Sequence, residues 1–250
     1  MEEAAFIDRL LLFGLGRQEA ALYFCLLKNE ELTGYEVAKL TGISRSNVYN
    51  GLAALVEHGA AYVMEGNPSR YVAVPLEEFC DNRIRYLEEI KAVLESNVPK
   101  RSVGSDGYIT VEGYGHICDK IHHMLIGTEK RIYFSASGCF LEKWKPEIRM
   151  LVGRGCKVVL ISEETEKIFS GDERQGIIFY DVPPTDGEAA EARRKQVRLI
   201  IDSEYVLTGE VEGTGRDTCL YSAQKNFVSV FKDAMRNEIE LIKLKSEKKG

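Results

Sequence analysis

Three of the four histidines in this chain of 250 residues, His116, His122 and His123, fall in the stretch HICDKIHHMLIG, where a metal or a proton-transfer site would first be sought. Asp119 and His123 stand one helical turn apart and could share a metal ion, but a closed site asks for further ligands and none lies nearby. Ile117, Ile121 and Leu125 make an apolar stripe in the same segment, so the histidines are expected on its solvated side. The six cysteines, Cys25, Cys80, Cys118, Cys139, Cys156 and Cys219, contain no Cys-x-x-Cys pair. That spacing points to reduced, mostly buried thiols and away from a disulfide framework or a zinc knuckle. No metal and no cofactor is expected. Anion chemistry has one candidate cluster. Ser135, Ser137 and Gly138 in FSASG end a strand and open a helix whose amides could receive an anion, and Arg193, Arg194 and Lys195 could add charge from the other side. The alternative is that the serines cap the helix and the basic run is a solvated loop.

Recognition chemistry is concentrated in ISRSNVYNGLAALVEHG, residues 43–59. Ser44 is placed to cap a helix that hides Val48, Leu52, Leu55 and Val56 and stops at Gly59. Ser46, Asn47, Asn50, Ala53 and Ala54 are left for solvent. Small residues let a helix backbone approach another surface closely, and asparagine is a natural bidentate partner for adenine in the major groove. Arg45 and Tyr49, at the margins, have the chemistry for phosphate or guanine. Asn67, Ser69 and Arg70 occupy the tip of a following hairpin, where a wing would track the DNA backbone. The candidate duplex-DNA contacts are therefore Ser44, Arg45, Ser46, Asn47, Tyr49, Asn50, Asn67, Ser69 and Arg70. A protein-binding module with a solvated polar face would also fit.

The elements that must position these residues can be read from periodicity. FIDRLLLFGL and RQEAALYFCLLKN predict two helices, the second with Ala20, Phe24 and Leu27 at helical intervals. TGYEVAKLTG predicts a short third helix, capped by Thr33, burying Val37 and Leu40 and ending at Gly42. AAYVME and SRYVAV alternate as strands around Gly66, Asn67 and Pro68. Helix, helix, turn, helix, hairpin is the winged helix-turn-helix order. Residues 76–98 read as a charged linker helix with Phe79, Leu87, Ile90 and Leu94 in one seam, interrupted by Arg83. Such a seam can pair with its twin in a dimer or pack on its own domain.

Pro99 to Gly107 breaks the pattern, and strands then alternate with helices. GYITVEG, RIYFSAS, CKVVLIS and GIIFYD are the strands; HICDKIHHMLIG and FLEKWKPEIRMLVGRG are the helices, the latter with Pro146 near its start. A hairpin turning at Ser203, the strand DTCLYS and a terminal helix from about Gln224 to Lys245 complete a mixed or parallel sheet covered by helices. The expected domains are 1–75, the linker helix 76–98 and 99–250, a two-domain α+β and α/β chain.

With 44% hydrophobic and 29% charged residues the composition is that of a globular protein. The acidic start MEEAAFIDRL and the lack of an apolar run of roughly 20 residues argue against a signal peptide or membrane partner. A cytoplasmic protein is expected. The net charge of −6 is unusual for a nucleic-acid binder, and residues 1–75 themselves carry six basic and nine acidic side chains. The acids, however, sit mainly in the N-terminal arm and an interhelical turn, while Lys39, Arg45 and Arg70 lie on the elements that would face DNA.

The stretch from Leu10 to Phe79 resembles the winged-helix domain of the TrmB family of archaeal and bacterial transcriptional regulators. The resemblance rests on Leu-Gly before RQEA, on Gly-Ile-Ser-Arg-Ser-Asn-Val-Tyr at residues 42–49, and on a glycine-ended helix followed by a wing closing on a proline. It implies DNA binding, with Ser44 to Asn50 entering the major groove. RRKQVRLIIDSEYVLTGE in turn resembles the strand-turn-strand of the phospholipase D superfamily, whose active members carry His-x-Lys-x-x-x-x-Asp before a glycine. Aligned on Asp202 and Gly209, this chain has Lys195 for the histidine and Val197 for the lysine. Attack on phosphorus by an imidazole, with a lysine holding the phosphate oxygens, is then lost, so a catalytically silent domain is expected. Sugar-responsive family members have a further C-terminal sugar-binding domain, for which this chain is expected to be too short. The resulting expectation is a homodimeric regulator of a palindromic operator, with a small-molecule effector possible in the second domain. The alternatives are a phospholipase D-like phosphodiesterase or nuclease and a protein-interaction winged helix.

Overall fold

The computed structural model describes residues 2–98, 107–163, 165–183 and 187–247. It divides into two compact units, Met1–Arg101 and Ser102–Gly250. The expected break at Pro99 to Gly107 lies, apart from Gly107, outside the described residues.

In the first unit α1 (Glu3–Leu12), α2 (Arg17–Leu27), α3 (Gly34–Thr41) and α4 (Arg45–Glu57) surround one core, preceding the hairpin β2 (Ala61–Met64) and β3 (Arg70–Ala73) and the long helix α5 (Leu76–Asn97). A two-residue strand before α3, β1 (Leu32–Thr33), completes a three-stranded antiparallel sheet in the order β1-β3-β2. Thr33 caps α3 in a reciprocal box: its hydroxyl accepts the Glu36 amide at 3.3 Å, while the Glu36 carboxylate accepts the Thr33 amide at 2.8 Å. Gly42 ends α3 at φ 71, a left-handed conformation that favours glycine. Ser44 caps α4, its Oγ accepting the Asn47 amide at 3.5 Å.

Two details of the helical reading change. On α2 the fully buried face is Ala20, Leu22, Tyr23 and Leu26, with Phe24 and Leu27 only half-buried, because α2 is enclosed on several sides and the face cannot be read from one stripe. On α3, Val37 is buried but Leu40 is largely exposed. Tyr23 anchors the unit: its hydroxyl donates to the Val74 carbonyl at 2.8 Å, and its ring packs on Phe79 at 5.3 Å. α4 crosses α2 so closely that a side chain at Gly51 would run into a Leu22 methyl.

The second unit is a seven-stranded mixed sheet in the order β4-β10-β9-β8-β5-β6-β7. Its strands are β4 (Ile109–Glu112), β5 (Arg131–Ser135), β6 (Lys157–Ser162), β7 (Ile177–Asp181), β8 (Gln196–Ile201), β9 (Tyr205–Glu210) and β10 (Thr218–Ser222). β5, β6 and β7 run parallel, and the neighbours of β8, β9 and β10 are antiparallel. The helices are α6 (Tyr114–Ile126), α7 (Gly138–Glu142), α8 (Lys145–Gly153), α9 (Thr165–Ile168), α10 (Glu188–Lys195) and α11 (Lys225–Glu247). The segment read as one helix through Pro146 is thus two, with Pro146 in the first turn of α8, where its missing N–H is not needed.

One face of the sheet presents Ile132, Phe134, Val158, Leu160, Leu199 and Leu207 to a core shared with α6 and α8. The other presents Val159, Ile161, Ile200 and Val206 to Val228, Met235 and Ile239 of α11. Alternate residues serve opposite faces, as the strand pleat requires. Glu238 of α11 pairs with Arg193 and, at 3.0 Å, with Arg198 of β8, which fastens the helix to the sheet. Among the described residues, no helix is long and apolar enough to cross a membrane.

Candidate nucleic-acid interface

On α4 the inward positions Val48, Leu52 and Leu55 are fully buried, and this fixes which residues the helix turns outward. Ser44, Arg45, Ser46, Asn47, Tyr49, Asn50 and Ala53 are exposed; Val56 and Ala54 are half-buried, so Ala54 is less open than the sequence suggests. The Arg45 guanidinium lies over the Tyr35 ring, 4.5 Å from its centroid, at the edge where α3 and α4 meet. No carboxylate pairs with Arg45 or Lys39 among the described residues, so both charges remain available. Tyr49 lies across the start of α3: a Cβ on Gly34 would stand 2.6 Å from its ring. Its ring is thereby held while about half of the side chain stays exposed.

At the hairpin tip Asn67 is exposed, whereas Ser69 is half-buried and its hydroxyl donates to the Gly66 carbonyl at 3.4 Å. Arg70 is not free. Its guanidinium donates to Glu31 at 3.1 Å, because β1 pairs with β3 and sets Thr33 opposite Arg70. Tyr35 and Glu31 were absent from the sequence-derived set. Tyr35 could have been suspected from its place beside the α3 cap; Glu31 depends on a strand too short to leave a pattern.

The second-domain cluster has a different character. Arg193, Arg194 and Lys195 form the last turn of α10 and not a loop, a position that also suits cations at a helix C-terminus. Each faces a carboxylate: Arg193 faces Glu238, Arg194 faces Glu163 at 3.9 Å, and Lys195 sits 2.9 Å from both Glu212 and Glu191. Hydrogen bonds to Glu212 and Glu191 push the Lys195 ammonium well above the usual lysine range. Ser135, Ser137, Arg193 and Arg194 do line a common cavity, but its volume is ≈ 20 Å³, room for about one water. Ser137, Arg194 and Lys195 also border an open groove of ≈ 470 Å³, which Gly138 does not line because it packs on Ile168.

Val197 is buried in the sheet core, and Asp202 sits in the β8–β9 turn with its carboxylate taken up by backbone amides. His116, His122 and His123 are exposed, with His122 Nδ1 2.9 Å from Glu147. Among the described residues no group of three or more His, Cys, Asp or Glu is arranged to hold a metal. The cysteines are free; Cys25, Cys118, Cys156 and Cys219 are buried, Cys80 is half-buried and Cys139 is exposed.

Residues 10–77, from the end of α1 to the start of α5, match the family described as the sugar-specific transcriptional regulator TrmB. The likeness to the TrmB family thus lies in the N-terminal unit. The chain is 32% identical over 134 residues to the uncharacterized protein YrhO of Bacillus subtilis (strain 168), covering 52% of this chain and 46% of that one. To the HTH-type sugar sensing transcriptional regulator TrmBL1 of Pyrococcus furiosus it is 26% identical over 149 residues, covering 57% and 43%. The chain thus spans less than half the length of the curated relatives it matches. Among solved structures, that of the archaeal chromatin protein TrmBL2 overlaps 96% of this chain and 99% of its own, at 19% identity and a TM-score of 0.44. Nuc of Salmonella typhimurium, a phospholipase D family member, overlaps 52% of this chain and 92% of its own, at 12% identity and a TM-score of 0.39.

Proposed function

We propose that this chain is a TrmB-type, DNA-binding transcriptional regulator that acts as a homodimer on two half-sites of a palindromic operator, α4 entering the major groove. The observation that carries the reading is the α4 surface: Ser46, Asn47 and Asn50 exposed in a row, with Arg45 held over Tyr35 and unpaired by any described acid. Small polar side chains on a helix whose opposite side is fully buried allow close groove approach, and the asparagines supply paired donor and acceptor groups for adenine. Ser44, Tyr49, Asn67, Ser69 and Arg70 serve phosphate contacts around them.

Helix α5 supports the dimer. Beyond Phe79 its seam is open, with Leu87, Ile90 and Leu94 all exposed. Packing on its own unit therefore does not account for the seam, whereas pairing with a second copy would bury it and double the modest number of phosphate contacts. The second unit is a non-catalytic regulatory or dimerisation domain: Lys195 is a protonated, carboxylate-bound ammonium where an imidazole would be needed, and Val197 is a buried hydrocarbon where a lysine would be needed.

Selection of genomic fragments by the full chain, followed by footprinting, tests the reading. Two protected half-sites one helical turn or a multiple apart are expected. Absence of any salt-sensitive protection, or turnover of a phosphodiester that Lys195→Ala abolishes, would overturn it.

A further inference from the structure

Four adjacent strands place one side chain each in a row on the α11 side of the sheet: Ile200, Tyr133, Val159 and Ile178, in register from β8 through β5 and β6 to β7. Met235 and Ile239 of α11 roof the row, and a cavity of ≈ 170 Å³ remains between them. An apolar cavity of about 150 Å³ is enough to admit a benzene ring. Two tyrosines, Tyr133 and Tyr180, line this space and offer ring edges and hydroxyls to an occupant.

The remaining lining is cationic. Lys157 enters from the start of β6, and Lys232 and Arg236 enter from α11; no carboxylate lines the cavity. Lys232 and Arg236 are four residues apart on one helix face, a like-charge spacing that weakens a helix by itself. Arg236 reaches Asp233 at 3.3 Å, but neither Lys157 nor Lys232 pairs with an acid among the described residues. In a chain with 39 acidic and 33 basic residues, three cations around an apolar floor without an acid lining it form a local excess that an anion would relieve.

We infer that this cavity is a binding site for a single-ring organic carboxylate, the ring lying on Val159, Ile178 and Ile200 and the carboxylate facing Lys157, Lys232 and Arg236. It is distinct from the cluster around Ser135 and Arg193, whose cations are matched by carboxylates. The inference does not rest on DNA binding, because occupancy is measured on the free protein.

Calorimetric titration of the full chain with benzoate is the test, with benzamide as the uncharged ring and acetate as the ringless anion. One-to-one, submillimolar binding of benzoate is expected, with both controls weaker by about tenfold or more. Lys157→Glu, at an exposed position, and Lys232→Glu, at a half-buried one, are each expected to weaken benzoate by about tenfold, while Lys225→Glu at the start of α11 leaves it unchanged. No binding of benzoate, equal binding of benzamide or acetate, or indifference to both charge reversals would overturn the inference. So would a second copy of the chain covering the face, read as a dimer in sedimentation that Lys232→Glu dissociates and benzoate does not perturb.

Discussion

Asp202 holds the backbone of Arg131, 71 residues away, on two sides: its carboxylate accepts the Arg131 amide at 2.8 Å, and its amide donates to the Arg131 carbonyl at 2.9 Å. The same carboxylate accepts the amides of Lys130 at 2.8 Å and Glu129 at 2.9 Å. Asp202 and Ser203 both have positive φ, 51 and 62, within the tight turn Asp202–Glu204 that joins β8 to β9. The aspartate at the phospholipase D-like position is therefore a structural tie between this turn and the entry to β5.

Replacing that tie gives the first prediction. Asp202→Ala removes three charge-assisted hydrogen bonds and leaves alanine at positive φ, so a loss of about 2–4 kcal/mol in the second unit is expected from urea unfolding. Asp202→Asn tolerates the turn and keeps part of the acceptor capacity, so its loss should be smaller.

Acid should act through the same group. Burial pushes the Asp202 carboxyl up, but the amides of Glu129, Arg131 and Lys130 together outweigh it and hold the carboxyl below its ordinary 3.8. A pKa lowered by folding contributes stability that is present above the unfolded value and lost as pH falls through the folded one. The wild-type unfolding midpoint should drop as pH falls below the ordinary 3.8, and Asp202→Ala should flatten that slope. Parallel curves for both proteins would contradict the assignment.

At the crossing of α4 on α2, Gly51→Ala should be destabilising by about 1–3 kcal/mol, because the added methyl meets Leu22, a fully buried side chain. A thermal melt of the variant checks this. Gly51→Ala with Leu22→Ala in the same chain should recover part of the overpacking cost, although it adds a cavity of its own.

The Glu31 carboxylate pairs with Arg70, and in the proposed complex it would compete with phosphate for the guanidinium. Glu31→Gln should release the guanidinium and tighten duplex binding by about twofold to fivefold at low salt, with a steeper salt dependence. Arg70→Ala should weaken binding and make the further change at Glu31 smaller in effect. A Glu31→Gln variant that binds no better would show that Arg70 takes no part in phosphate contact.

The winged-helix order was legible because capping and stop residues mark it: Thr33 with Glu36, Gly42, Ser44 and Gly59 punctuate the helices where the chain turns. In the second unit α9 and α10 were not read as helices, but the strands were legible as short β-rich runs. Partnerships across the chain were not. Glu31 meets Arg70 through a two-residue strand, and Arg193 meets Glu238 across 45 residues, separations at which a sequence carries no periodic trace. Hence the basic run at residues 193–195 read as available charge, whereas folding places it against carboxylates. Leu40 failed for another reason: its spacing from Val37 is helical, but α3 is short and only one of its turns faces the core.

Duplex binding by α4 is the central claim, and the salt dependence of binding tests it most directly. Affinity for a footprinted fragment should be measured across a salt series for the wild type, Arg45→Ala and Asn50→Ala. Arg45→Ala should weaken binding to specific and unrelated DNA alike and reduce the slope of log affinity against log salt by about one unit per site. Asn50→Ala should cost about 1–3 kcal/mol on the specific fragment alone, leaving the slope unchanged. Unaltered affinity and slope in both variants would contradict the account.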